Sequence, residues 1–264
     1  MIIDFHTHVY PDQIAARTLQ KLSEEIDHVY PTVTDGTTSG LLAVMHEWNI
    51  DLSVVLPVIT KPSQFNTINT WAQSICSKRL ISFGAIYPDA DNYKKDIDRV
   101  VELGLKGLKF HAEYQNFQVD SDLMLRIYDY ALSKGLILLH HAGADPGFHP
   151  PFKSSPQQFR RIIDSMQGGV IIAAHLGGHA QWDEVEEYLV GTSIYLDTSM
   201  GFEYYPSEQF LRIVKNHGVE KILFASDSPW SNAKTEIERL KALPLTDGEV
   251  DAILGGNAQR LLGV

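Results

Sequence analysis

The chain has 264 residues, 44% of them hydrophobic, enough apolar material for one large core or two small ones. Its 22 basic and 33 acidic side chains give a formal charge of −11, a field that repels nucleic acid and anionic membrane and leaves a small molecule as the expected partner. A single cysteine, Cys76, excludes an intramolecular disulfide and suits a cytoplasmic protein, no signal peptide is expected, and the longest apolar run (170–174) falls far short of the roughly 20 residues of a membrane span.

Short apolar runs recur along the whole chain: IIDF (2–5), LSVVLPV (52–58), LISFGAI (80–86), GLKF (107–110), LILLH (136–140), VIIAAH (170–175), SIYLD (193–197) and KILFAS (221–226). They read as continuous rather than alternating, the mark of strands buried on both faces. Between them lie stretches of helical period, such as 93–104, 121–135 and 207–218, each ending on the Gly expected at a helix C-terminus. Eight strand–helix units at roughly 30-residue spacing predict a (β/α)8 TIM barrel in a single domain spanning 1–264, with a doubly wound open sheet as the rival. One long irregular insertion is expected at about 27–40. Cys76, after a helical stretch, is expected to be a packed small apolar residue.

In such a barrel the residues that close each strand line the active site. In chain order these are His6 and His8, Lys109 and His111, His140 and His141, His175, Asp197, and Asp227. Six of the eleven histidines fall at strand ends, a concentration that points to a metal, for which neutral imidazole is a good ligand. Histidines at i and i+2 of one strand share a face and can close on one ion. Those on strands one, five and six, with the aspartate on strand eight, converge over a narrow barrel. His140 and His141 must point to opposite faces, and sequence physics does not choose between them.

The motifs DFHTH, GLKGLKFH, HHAG, AHLGG followed by WDEVEEYL, IYLDTS, ILFASDSPW and LGGNAQRLLG together resemble the amidohydrolase-related family of the amidohydrolase superfamily, which contains metal-dependent hydrolases and decarboxylases. The resemblance implies a metal-dependent barrel whose ion, commonly zinc, is held by His6, His8, His141 and Asp227, with His175 beside the activated water. Asp227 and His175 are then the expected catalytic residues. The usual His-x-Gly pattern selects His141 over His140, which is left as a buried imidazole. Some relatives bridge two ions through a carboxylated lysine or a glutamate of the fourth strand. Lys109, His111 and Glu113 are the candidates here, and a second ion, if bound, is expected to recruit His175. Family members are often dimers or larger, so a homo-oligomer is an open expectation.

The expected reaction is hydrolysis of an amide, lactone or ester, with non-oxidative decarboxylation of an aromatic or unsaturated acid as the alternative and a catalytically silent barrel as the third class. Lys109, His111 and Trp230 are the expected substrate contacts. Specificity is expected in the loops after strands five, seven and eight, including Phe202, Tyr204 and Tyr205, while Lys153 is expected to be a surface or packing residue. Asp197 is expected to be structural, bonding loop backbone; the alternative for Asp227 is a cap on the following helix; and His149 and His179 are expected to face solvent.

Overall fold

The computed structural model describes residues 1–89 and 91–264. Eight parallel strands follow one another around a ring: β1 (Ile3–Thr7), β2 (Leu52–Val55), β3 (Leu80–Ser82), β4 (Gly107–Phe110), β5 (Ile137–His140), β6 (Ile171–Ala173), β7 (Tyr195–Asp197) and β8 (Ile222–Leu223). The ring is stitched at its two weakest seams. Between β3 and β4, Gly84 bridges Leu108. Between β8 and β1, Thr7 bridges Ser228, Phe5 N donates to the Phe224 carbonyl at 2.9 Å, and Asp227 N donates to the His6 carbonyl at 2.8 Å. A sheet closed on itself is a (β/α)8 barrel, not the open doubly wound sheet.

Several strands are shorter than the apolar runs predict, although β4 matches its run and β1 extends two residues past its own; β8, for instance, retains two residues of the six in 221–226. In β2, β3, β6 and β8 the last residues of the run leave regular pairing as the chain turns over the barrel rim. The helices match more closely, at Tyr93–Glu102, Asp122–Ser133 and Ser207–His217. Gly104 and Gly135, just past two of them, take positive φ of 73° and 77°, the left-handed end that glycine permits. The insertion is irregular until the helix Thr38–Glu47, whose N-cap Thr37 accepts from Gly40 N. Cys76 is exposed, contrary to expectation, because it sits just past the C-terminus of the helix Phe65–Ser74.

Two apolar clusters fix which side of each strand faces the barrel axis. Ile3, Phe5, Leu52, Val54, Phe83, Leu139, Ile172 and Leu223 form one buried cluster. Because it joins strands from opposite sides of the ring, it can only be the barrel interior. Leu108, Phe110, Leu138, Ala173, Ile222 and Phe224 belong to the other cluster, between strands and helices. A Cβ on Gly107 would stand 2.4 Å from the Ile137 carbonyl and 2.6 Å from the Phe83 ring, so the interior there has room for glycine alone.

Candidate metal centre

Alternation carries the interior assignment upward to the rim. Ile137 and Leu139 face inward, so His141 does too. His140 faces the helices, stacked on Phe110 with ring centroids 5.1 Å apart and edged by Tyr128 and Phe159. By the same parity Lys109 and His111 face inward from β4, and Asp227 from β8. Strand β1 would break the rule: with Ile3 and Phe5 inside, strict alternation sends His6 and His8 outward. A register shift corrects it, since Asp4 and Thr7, three residues apart, pair with Ser53 and Val55, two apart. The bulge turns both histidines into the mouth. His175 is re-aimed differently, by a left-handed backbone at φ 57°.

The result is a close triangle. His6 Nε2 and His8 Nε2 lie 3.1 Å apart, and each approaches Asp227 Oδ1, at 3.3 and 3.2 Å. The protons of this triangle can be traced. His6 Nδ1 faces the Asp197 carboxylate at 2.9 Å and His8 Nδ1 faces the Leu56 carbonyl at 2.8 Å, both pure acceptors, so both Nδ1 atoms carry the hydrogen. Burial, then the neighbouring Lys109, holds His6 well below the usual imidazole range, so it is neutral. Burial works against charge on Asp227; protonated His6 and His8 would outweigh it and hold the carboxyl below the usual carboxylate range, and with both Nε2 atoms bare that positive charge would have to come from a bound cation. With both hydrogens on Nδ1, the His6 and His8 Nε2 lone pairs converge on the Asp227 carboxyl, and the donor that reaches them is Lys109 Nζ, 3.0 Å from His6 Nε2. Asp227 Oδ1 is buried with no hydrogen-bond partner among the described residues.

A divalent cation resolves this arrangement. Ligands about 2.0–2.1 Å from a tetrahedral ion stand roughly 3.3 Å from one another, the spacing of the triangle. The Nδ1 contacts to Asp197 and Leu56 are the outer hydrogen bonds that fix a ligating histidine's tautomer. The residues present thus fit the ion that the strand-end histidines predict. Asp227 does not cap a helix: the helix Ala233–Lys241 is capped by Asn232, which accepts from Lys234 N and Thr235 N.

The other expected residues gather around the triangle without all joining it. Lys109, fully buried, places Nζ 3.0 Å from His6 Nε2, and burial lowers its ammonium to about 8. Glu113 turns away and accepts from Lys153 N at 2.7 Å; Lys153 also pairs with it at the surface. His141 lies outside the triangle, in a second group with His111 and Asp145. His175 has both nitrogens engaged, Nδ1 with the Ser199 carbonyl at 3.2 Å and Nε2 with His141 Nδ1 at 3.0 Å. Asp197 accepts from the backbone of His175 and Ser199, each at 3.0 Å, which is the structural role expected, and it orients His6 as well.

Above the triangle opens a cavity of about 690 Å³. Lys109, His111, His175 and Trp230 line it, as does His179, which is half-buried; His149 is exposed. Much of its wall comes from elements to which the sequence assigned no specificity. Ile14, Leu22 and Ile26 project from the first helix and its end, and Pro57, Val58 and Trp71 from the segment after β2. The loop after β7 contributes Met200; Phe202 and Tyr205 pack instead against Phe210, and Tyr204 meets Tyr30 and His179 edge-on. No described helix is long and apolar enough to cross a membrane.

Comparison with known proteins agrees with this architecture. The family model described as amidohydrolase matches residues 3–264. The 5-carboxyvanillate decarboxylase LigW from Sphingomonas paucimobilis is 16% identical, with a TM-score of 0.76 over 100% of this chain and 99% of that one. A protein assigned as a 2-pyrone-4,6-dicarboxylic acid hydrolase from Acinetobacter baumannii, with citric acid bound, is 16% identical, with a TM-score of 0.67 over 100% and 99% of the two chains. A dihydroxybenzoic acid decarboxylase from Polaromonas sp. JS666, with bound manganese and 2-nitroresorcinol, is 15% identical, with a TM-score of 0.71 over 99% and 96%. No curated protein sequence matches. At these identities the solved structures establish the shared fold, while the family match spans the barrel almost end to end: the chain belongs to the amidohydrolase family.

Proposed function

We propose that the chain is a metal-dependent hydrolase that cleaves an amide, lactone or ester bond in a small molecule. The reading rests on one observation: two proton-free imidazole nitrogens and a carboxylate oxygen, 3.1–3.3 Å apart, at the floor of a cavity. The two-imidazole, one-carboxylate donor set suits zinc. Such an ion would be held by His6, His8 and Asp227 and would supply a Lewis acid that lowers the pKa of water to about 7 and polarises a carbonyl.

The chain's own groups do the rest. Asp227 accepts the proton of the attacking water and returns it to the leaving group, a general-base role served by a carboxylate that stays ionised at neutral pH. Lys109 faces the same point from β4 and stabilises the oxyanion that develops on the carbonyl oxygen. His175, with Nδ1 tied to Ser199, holds His141 in place rather than contacting the carbonyl. Trp230 and the apolar wall of Leu56, Pro57 and Val58 exclude water and bind the body of the substrate.

A second reading, non-oxidative decarboxylation, is favoured by the pairing of the Lys109 ammonium with aromatic and apolar walls, a fit for a planar carboxylic acid. The two readings separate on product. Purified, zinc-loaded protein is offered lactones, esters, amides and aromatic acids, with acid release from lactones and esters followed by pH-stat, amine release from amides by a colorimetric reagent, and carbon dioxide trapped in parallel. Hydrolysis predicts acid release, or amine release from an amide, that falls about 10²–10⁴-fold in Asp227→Asn. Carbon dioxide release without net acid would replace the hydrolase reading with the lyase.

A further inference from the structure

The first helix of the chain, Asp12–Glu25, carries two apolar faces where a surface helix ordinarily has one. Ala15 and Leu19 are buried in the protein. Ile14, Thr18 and Leu22, spaced four residues apart, form a second stripe that lines the cavity instead. The helix Phe65–Ser74 presents Ile68 and Trp71 to the same space. Ile14, Leu22 and Ile68 are half-buried, and none of them joins either of the two apolar clusters of the barrel. Their apolar surface therefore serves the cavity and not the core.

Charge along this part of the wall runs against that of the whole chain. The protein carries a formal charge of −11, yet Arg17, Lys21 and Lys61 line the cavity beside the apolar stripe. Glu25, the acid among them, is already engaged: Lys21 Nζ stands 3.5 Å from it and the Tyr114 hydroxyl donates to it at 3.4 Å. The other acids on the wall, Asp145 and Asp227, lie at the strand ends and face His111 and His8 at 3.3 and 3.2 Å. Arg17 and Lys61, both exposed, make no ion pair among the described residues. The cavity is thus polar at its floor, apolar along two helices and cationic where those helices meet solvent.

We propose that the space walled by Ile14, Thr18, Leu22, Ile68 and Trp71 is a slot for the body of an elongated substrate. The carbonyl to be cleaved lies at the floor, an apolar chain occupies the slot, and a carboxylate at the far end meets Arg17 and Lys61. This names a substrate class for the hydrolase reading and rests on that reading only for the bond that is cut. The apolar body supplies most of the affinity, about fourfold for each methylene buried. The rim cations are exposed and add only a few-fold, so they select the anionic end of the substrate more than they drive binding.

Binding to the metal-free, full-length protein tests this without any bond being cut. Acetamidobutanoate, acetamidohexanoate and acetamidooctanoate, each with the amide and the carboxylate at opposite ends, are titrated by calorimetry beside N-alkylacetamides of the same lengths. Affinity is expected to rise about fourfold per methylene until the slot is full. At low salt the carboxylate series is expected to bind a few-fold more tightly than the neutral one. Thr18→Trp, which fills the slot from the first helix, should remove the dependence on length, with circular dichroism confirming the fold. Arg17→Gln/Lys61→Gln, two exposed changes, should bring the two series together. No binding, affinity independent of length, or a length dependence that survives in folded Thr18→Trp overturns the slot. Equal affinity of the two series in the wild type, or a difference that persists in the double variant, overturns the anionic end. Zinc-loaded protein that hydrolyses nothing yet shows these binding patterns when metal-free sinks the hydrolase reading alone; hydrolysis of short substrates with no gain from length sinks the slot alone.

Discussion

Asp197→Asn is the sharpest probe of the proton arrangement in the triangle. One oxygen of Asp197 accepts from the backbone of His175 and Ser199, each at 3.0 Å, and the other meets His6 Nδ1 at 2.9 Å. In the asparagine variant the carbonyl oxygen stays with the two backbone donors, so the amide nitrogen faces His6. That nitrogen is a donor, and His6 Nδ1 must become the acceptor. The imidazole hydrogen moves to Nε2, into the space between His8 and Asp227 where an ion would sit. Loss of such an outer hydrogen bond typically weakens metal binding 10- to 100-fold, or about 1.4–2.7 kcal/mol. Because Asn and Asp are nearly isosteric and the backbone contacts persist, the metal-free fold should be retained. Zinc affinity by competition with a chromophoric chelator, alongside urea unfolding of the metal-free protein, measures both. Zinc affinity within twofold of the wild type in a folded Asp197→Asn protein would refute the tautomer assignment, and with it the claim that the triangle is built for a cation.

Two further outcomes are expected. His217 is buried away from the mouth, accepts from Gly191 N at 3.2 Å, donates to the Ile194 carbonyl at 2.8 Å and is lowered to about 4 by burial. The unfolded histidine, near 6.5, binds a proton between pH 6.5 and 4 while the folded one does not. Its contribution is therefore complete above pH 6.5 and is lost as the pH falls through that window, about 3 kcal/mol in all. Urea midpoints at pH 7.5 and 4.5 should fall further in the wild type than in His217→Gln, and equal losses would show that the proton binds elsewhere. His140→Phe removes two buried, unpartnered nitrogens from a cage of Phe110, Tyr128 and Phe159. Relief of such unmet groups is worth about 1–3 kcal/mol, so thermal unfolding should occur at an equal or higher temperature with bound metal unchanged; loss of metal would mean that the fifth strand presents the wrong histidine to the mouth.

The barrel is legible in the sequence because its evidence is local: eight apolar runs, each too continuous for a half-exposed strand, separated by helical periods. The choice of His141 over His140 follows physically once Leu138 and Leu139 are known to face opposite clusters, which no residue reveals by itself. The inward aim of His6 and His8 depends on a bulge against β2, a pairing irregularity between segments some fifty residues apart, and strict alternation from Ile3 would have sent both the other way. Asp145 sits in a proline- and glycine-bearing loop where an aspartate ordinarily makes a turn. Its pairing with His111, 34 positions earlier and 3.3 Å away, is not visible from the loop sequence. The cavity wall from the first helix escaped notice because Ile14 and Leu22 read as ordinary residues of an amphipathic face.

Four non-glycine residues at three neighbouring strand ends, His175, Leu176, Met200 and Asp227, wind the backbone left-handed, at φ of 57°, 54°, 49° and 69°. L-amino acids resist that conformation by roughly 1–2 kcal/mol apiece, and glycine or asparagine would relax it. The rim of the cylinder is accordingly where ease of folding and chemical purpose pull in opposite directions. Relief of that strain is least costly at Met200, whose side chain contributes no donor atom; at Leu176, fully buried in the core, lost packing would exceed it, and at Asp227 comfort for the main chain would come at the expense of its carboxylate.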